Sequence, residues 1–342
     1  MARMKLRTLG NSGTAVSAVA LGTMTFGAEA DESASHEMLD AFAEAGGTLI
    51  DAADVYAGGL SEEIIGRWMA GNPTTAQRMV IATKGRFPMG PDANDHGTSR
   101  RHLRRALEAS LRRLGVDHVD LYQLHAWDPI TPLDETLGFL DDAVRSGLIS
   151  YWGLSNFTGW QLTKAVHRAA AVGMSAPVTL QPQYSLLSRE IEFEIVPAAL
   201  DAGLGLLPWG PLAGGWLTGK YRRDTAPTGA TRLGEDPNRG VEAYDRRSAE
   251  ERTWVVLDVL HAIADDNGVP PSRVALAWLQ SRPGMTSVIL GARTVDQLRD
   301  NLAAGDLELS AEQLGRLDAA SAPRVPDYPY GVLGVEQRAR RL

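Results

Sequence analysis

The chain has 342 residues, 44% of them hydrophobic, a net charge of −8 and no cysteine. Its apolar content suffices for a large core, and its mild, scattered acidity argues against nucleic acid as the main partner. Without cysteine there can be no disulfide, no thiolate nucleophile and no cysteine-held zinc or iron–sulfur cluster. The seven histidines include no pair four residues apart, so no metal site is expected. The start of the chain, Met1–Thr8, lacks the apolar stretch of a signal peptide. No run approaches the ~18 apolar residues of a membrane span. A cytoplasmic protein with no membrane partner is the expectation.

Residues 5–18, broken by Asn11-Ser12-Gly13, read as a short β-hairpin. Eight strand-like runs follow at about 19–22, 48–51, 79–84, 119–125, 149–155, 178–182, 205–209 and 286–290. Most are short and continuously apolar, as strands covered on both faces should be. They alternate with amphipathic stretches, the order of parallel βα units, and eight such units close a (β/α)8 TIM barrel. In the stretch from Ser99, Leu103, Leu107, Leu111 and Leu114 form one apolar stripe with arginines opposite. The arginines read as a solvated outer face rather than an anion site. Ser61 and Ser310 stand where helix N-caps would, with acids behind them. Residues 213–247 break the pattern and read as a long loop, either a lid or a disordered segment. The tail, about 323–342, opens with three prolines and two tyrosines between Pro323 and Tyr330, which suits an extended cover. No linker is evident, so one domain over 1–342 is expected.

Asp51, Tyr56, Lys84 and His125 each fall at or just past the end of an apolar run. Polar groups at successive strand C-termini converge on one mouth of a parallel barrel. A phenol can deliver a proton to a carbonyl oxygen if its pKa is brought below the free value of ~10. Lys84 beside Tyr56 would favour the tyrosinate, Asp51 would hold Lys84 charged, and His125 could donate to the substrate oxygen or relay a proton. Taken singly, the Asp–Lys pair could be a plain ion pair and the Tyr or His ordinary packing. Their joint placement after three successive strands favours chemistry.

At these positions the chain resembles the aldo-keto reductase superfamily. The resemblance rests on Leu21-Gly-Thr-Met-Thr-Phe-Gly27, Ile50-Asp-Ala-Ala-Asp-Val-Tyr56, Ala82-Thr-Lys84 and Leu121-Tyr-Gln-Leu-His125. It continues through Gly153-Leu-Ser-Asn-Phe157, Gln181-Pro-Gln-Tyr184, Pro211-Leu-Ala-Gly-Gly and Leu217-Thr-Gly-Lys-Tyr221, in register to about residue 309. Among its members, the chain looks most like bacterial ones that resemble potassium channel β subunits. The resemblance implies a TIM barrel closed at the bottom by the N-terminal hairpin. It also implies a catalytic tetrad of Asp51, Tyr56, Lys84 and His125, with Tyr56 as general acid in hydride transfer from NADPH.

By the same resemblance, Ser155, Asn156 and Gln181 face the nicotinamide carboxamide. Trp209 stands where an aromatic ring, usually Tyr, stacks on the nicotinamide; the channel-like branch shares the Trp. Gly22, Thr23, Met24 and Asp51 border the cofactor. Gly210, Pro211, Leu212 and Ala213 lie along the pyrophosphate, with Lys220 as a nearby cation. Arg293, at a helix start with Gln297 and Asn301, suits the adenosine 2′-phosphate. Other branches carry a basic residue where this chain has Gly291 or Gln297; NADPH is the expected cofactor, with NADH a weaker substitute. Phe26, Phe87, Trp127 and Tyr328 are candidates for an apolar substrate pocket.

The expected activity is reduction of a small-molecule aldehyde or ketone. The alternatives are oxidation of a sugar or alcohol by the same site, or a slow nicotinamide-binding regulatory subunit. Monomer and homo-oligomer are both open. Gly214 to Lys220 imitates a phosphate-binding loop, but Tyr221 stands where Ser or Thr would hold magnesium.

Overall fold

A computed structural model describes residues 4–331 except 224, 226, 230, 231 and 239, with Arg232 described by its backbone alone. Those five positions of the 213–247 stretch and the tail beyond residue 331 lie outside the described residues.

Eight strands form one parallel sheet: β3 (Val19–Gly22), β4 (Leu49–Asp51), β5 (Val80–Gly85), β6 (Val119–Leu124), β7 (Ile149–Ser155), β8 (Thr179–Gln181), β9 (Gly205–Leu206) and β10 (Val288–Gly291). Each pairs with its sequence neighbour, and β10 returns to β3 with Val288 opposite Val19 and Gly291 opposite Gly22. Between β9 and β10 the ring closes through a bridge from Leu206 to Met285 and a hydrogen bond from the Ile289 amide to the Pro208 carbonyl. The result is a nearly closed (β/α)8 barrel with helices outside.

Two strands precede it. β1 (Leu6–Thr8) pairs antiparallel with β2 (Ala15–Ser17), Arg7 opposite Val16. Leu9 and Val16 are fully buried and pack with Ala20, Leu49, Val80, Leu121 and Val178, the apolar filling of the barrel floor. Gly10 has a φ of 55°, and a Cβ there would stand 1.8 Å from the Val178 carbonyl oxygen. Only glycine allows the hairpin to press so close to the strand ends.

Inward-facing positions alternate along a strand, and this sets the position of the polar groups. Leu49 points into the barrel, so Asp51 does too, one layer nearer the C-terminal mouth. The same parity carries Val80 and Ala82 to Lys84 on β5, and Leu121 to Gln123 on β6 with His125 just beyond. An apolar floor thus gives way to a polar layer at the mouth.

The Arg100–Leu114 helix buries Leu103, Leu107, Leu111 and Leu114 and leaves Arg101, Arg104 and Arg105 outside, as its periodicity requires. Ser310 caps its helix in a capping box with Gln313. Ser61 does not cap: the Leu60–Gly71 helix starts from Gly59 at φ 102°, and the Ser61 hydroxyl donates instead to the Thr23 carbonyl at 2.9 Å.

The described part of the 213–247 stretch is not an open loop. It carries short helical turns at Ala213–Thr218, Arg232–Glu235, Gly240–Glu242 and Tyr244–Ser248. Fully buried Trp216 gathers it, stacked on Tyr244 at 5.3 Å and edge-on to Trp254 at 5.6 Å. Buried Arg247 pairs with buried Glu242. Among the described residues no helix is long and apolar enough to cross a membrane.

Candidate active site

Lys84 sits on β5, fully buried, at the centre of the mouth. Its ammonium donates to Asp51 Oδ2 at 2.7 Å, to the Ala52 carbonyl at 2.8 Å and to the Tyr56 oxygen at 3.2 Å. Three donors meet three acceptors, so none of its hydrogens is left over. The other Asp51 oxygen accepts from Gln181 Nε2 at 2.9 Å and Gln123 Nε2 at 3.3 Å. Gln123 is a site residue that the motifs did not single out, although it lies two residues before His125 on the same inward parity.

Tyr56 opens a tight turn in which Ala57 (φ 49°), Gly58 (67°) and Gly59 (102°) are all left-handed. That reversal brings the phenol back over Lys84. Its oxygen accepts from Lys84, which leaves its own hydrogen for the cavity it lines. Burial pushes the phenol pKa above its ordinary value, and the Lys84 charge opposes that rise. Against the expectation that Lys84 brings the phenol below its free value, burial is the larger effect. For Lys84, burial favours the neutral amine, but Asp51 and Tyr56 outweigh it and raise the pKa, so the ammonium persists.

His125 follows β6, with its ring edge-on to Phe87 at 4.5 Å and to Tyr56 at 6.0 Å. Burial, helped by the Lys84 and Arg86 charges, lowers its pKa to about 2. The imidazole is therefore neutral at ordinary pH and can offer one N–H. Its Nδ1 has no hydrogen-bond partner.

A further acid stands beside this group. Asp54 is fully buried, and neither carboxyl oxygen has a hydrogen-bond partner in good geometry, the Val55 amide being its nearest donor. Burial and the neighbouring Glu62 charge raise its pKa to about 7, with Arg113 pulling the other way. Glu62 is itself satisfied, by Thr83 at 2.5 Å and Arg113 at 2.7 Å. Nothing in the sequence distinguished Asp54 from a solvated turn residue.

A single cavity of about 650 Å³ runs from Tyr56 and His125 to Arg293 and Asn301. At the tetrad end its wall is made by Ser155, Asn156, Gln181 and Trp209. Ser155 donates to the Gln181 carbonyl at 3.0 Å. Asn156, at φ 57°, donates to the His125 carbonyl and accepts from the Trp209 indole, each at 3.0 Å. The indole plane is thereby pinned at the edge of the mouth.

Gly22, Thr23 and Met24 border the cavity, as do Gly210, Pro211, Leu212, Lys220, Gly291 and Gln297. Ala213 does not: its side chain is fully buried, and Gly214 and Gly215 line the cavity in its place. Both have positive φ, and a Cβ on Gly215 would stand 2.6 Å from the Lys220 ammonium. Cavity and cradle fit an extended dinucleotide: an aromatic and amide wall at one end, a bare glycine backbone in the middle, a guanidinium at a helix start at the other.

The four pocket aromatics separate. Phe26 is fully buried in the hydrophobic core and does not reach the cavity. Phe87 covers the His125 ring. Trp127 packs on Phe157 at 5.5 Å and Trp160 at 5.4 Å, outside the cavity lining. Tyr328 is 76% exposed and, like the rest of residues 323–331, is not part of the cavity lining. Among the described residues no cluster of His, Asp and Glu side chains is arranged to hold a metal ion.

Residues 18–322 match the family described as Aldo/keto reductase family. The chain belongs to it. "Uncharacterized oxidoreductase YrpG" of Bacillus subtilis is 38% identical over 92% of this chain and 95% of its own length. "Probable voltage-gated potassium channel subunit beta" of Oryza sativa subsp. japonica is 35% identical over 92% of this chain and 96% of its own. "Versiconal hemiacetal acetate reductase" of Aspergillus parasiticus is 30% identical over 94% and 98%. As an aldo/keto reductase this chain is an oxidoreductase built for carbonyl reduction in general.

Proposed function

We infer that this aldo/keto reductase reduces an aldehyde or ketone with NADPH, Tyr56 supplying the proton. The observation that carries the reading is the hydrogen bond from Lys84 to the Tyr56 oxygen, which turns the phenol hydrogen toward the cavity. NADPH, when bound, supplies the hydride. Ser155, Asn156 and Gln181 would hold its carboxamide, Trp209 its ring, and Arg293 with Gln297 its 2′-phosphate. Neutral His125 would donate a hydrogen bond to the substrate oxygen and orient it toward Tyr56. As the oxygen takes the proton, Lys84 stabilises the tyrosinate left behind, and Asp51, held by Gln123 and Gln181, keeps Lys84 in place. Phe87 shields the imidazole, which keeps these contacts in a low-dielectric setting where they are strong.

The likeness to the rice probable voltage-gated potassium channel subunit beta favours a second reading, a slow cofactor-binding regulatory subunit. Consumption of NADPH with a panel of aldehydes, ketones and dicarbonyls, followed by its near-ultraviolet absorbance, separates the two. Turnover that disappears in Tyr56→Phe supports the reductase. Tight NADPH binding with no turnover in either direction, reduction or alcohol oxidation, supports the subunit.

A further inference from the structure

Arg293 and Glu235 lie 58 positions apart in sequence and meet in a bidentate ion pair: Nη1 to Oε1 at 3.2 Å and Nη2 to Oε2 at 3.0 Å. Arg293 stands in the loop after β10, its backbone amide donating to Gln297 Oε1 at 3.1 Å, and it lines the far end of the cavity. Glu235 ends the Arg232–Glu235 turn, part of the long excursion between β9 and the Glu251–Asn267 helix. The pair therefore ties the excursion to the last βα loop.

A carboxylate that fills both arms of an arginine fork imitates a phosphate, because the fork matches either oxoanion in the same planar geometry. We propose that Glu235 is an internal stand-in for the cofactor's 2′-phosphate, occupying Arg293 until that phosphate displaces it. The proposal rests on the reading of the cavity as an NADP(H) site and adds a determinant of cofactor choice and loop position. A phosphate and Glu235 are both anionic, so they compete for Arg293 rather than share it. The 2′-hydroxyl of NADH carries no charge and leaves the pair intact; it can donate to the carboxylate. Glu235 thus works against the NADPH preference that Arg293 creates. Release of Glu235 removes one tie between the Arg232–Glu235 turn and the last βα loop, while fully buried Leu233 keeps the turn anchored, so the 2′-phosphate loosens the excursion without detaching it. Both side chains are partly exposed, 22% for Arg293 and 48% for Glu235, which bounds the size of the effect.

The test is titration of NADPH and NADH into wild type, Glu235→Gln, Arg293→Ala and the double variant, followed by quenching of tryptophan fluorescence. Glu235 is exposed, so its exchange for Gln does not threaten folding. The expected result is NADPH binding tightened roughly two- to five-fold in Glu235→Gln, less so at high salt. NADH binding should be unchanged or weaker, and the effect should vanish in the Arg293→Ala background. An NADPH-to-NADH ratio unmoved by Glu235→Gln, with Arg293→Ala still weakening NADPH, overturns the stand-in and leaves the phosphate site intact. A ratio unmoved by Arg293→Ala overturns both. Failure of both dinucleotides to bind wild type overturns the functional reading beneath them.

Discussion

Lys84 donates to the phenol oxygen of Tyr56 at 3.2 Å, and this contact decides where the Tyr56 proton can go. With its oxygen engaged as an acceptor from below, the phenol can donate only into the cavity. The remaining Lys84 hydrogens are spent on Asp51 and Ala52, so the ammonium has no other partner to turn to.

On the proposed reading, Tyr56→Phe removes the proton donor and little else. Turnover is expected to fall by about 10²–10⁴-fold. NADPH binding should stay near the wild-type value. Steady-state rates and a fluorescence titration on the same preparation check it; undiminished turnover would remove Tyr56 from the role of acid.

Lys84→Met takes the cation out of a buried pair. Loss of one partner from such a pair costs about 3–5 kcal/mol, softened here because Gln123 and Gln181 still serve Asp51. Burial would then raise the phenol pKa unopposed, so any residual activity should move to higher pH. Urea denaturation and a pH–rate profile test the two halves separately. A profile that keeps its position would show that Lys84 does not tune the phenol.

His125 and Asp54 impose opposite pH dependences on stability. The unfolded His125 binds a proton below pH 6.5 while the folded one resists until about 2, so stability is retained above 6.5 and lost as acid is added. Asp54 rises from 3.8 to about 7 on folding, so its contribution is present below 3.8 and lost as pH rises through about 7. Asp54→Asn should therefore stabilise the protein by about 2–4 kcal/mol near pH 8 and have little effect near pH 4. Denaturation at the two pH values measures the difference. A variant less stable than wild type at the higher pH would mean that the Asp54 carboxylate is satisfied in solution.

Gly10→Ala tests the barrel floor. The added methyl meets the Val178 carbonyl, and the positive φ adds strain. A loss of about 2–4 kcal/mol is expected, with the site geometry otherwise preserved. A melting temperature equal to wild type would show that the hairpin can lift from the strand ends at no cost.

Much of this was legible in the chain. The eight strands and the helix stripes are local patterns, set by which side chains must leave water over four to fifteen residues. Strand parity, also local, carried Asp51, Lys84 and His125 to one mouth. Gln123 obeyed the same parity and could have been read from it. Other features depended on contacts that no local pattern encodes. Phe26 turned into the core although its neighbours Thr23 and Met24 border the cavity. Ser61 gave up its cap because the left-handed turn at Ala57–Gly59 moved the helix start and Thr23 offered two oxygens. Asp54 looks like any acid in a turn until the barrel closes over it and removes its water. Arg293 could be assigned to an anion from its place at a helix start, but not to Glu235. Their meeting depends on where a long excursion folds back, which is fixed by the burial of Trp216 and the Arg247–Glu242 pair. Sequence determines periodicity and parity because these are properties of neighbouring residues. Only the folded chain decides which charges and rings share a space, because that depends on the closure of long loops and on which groups are shut away from solvent.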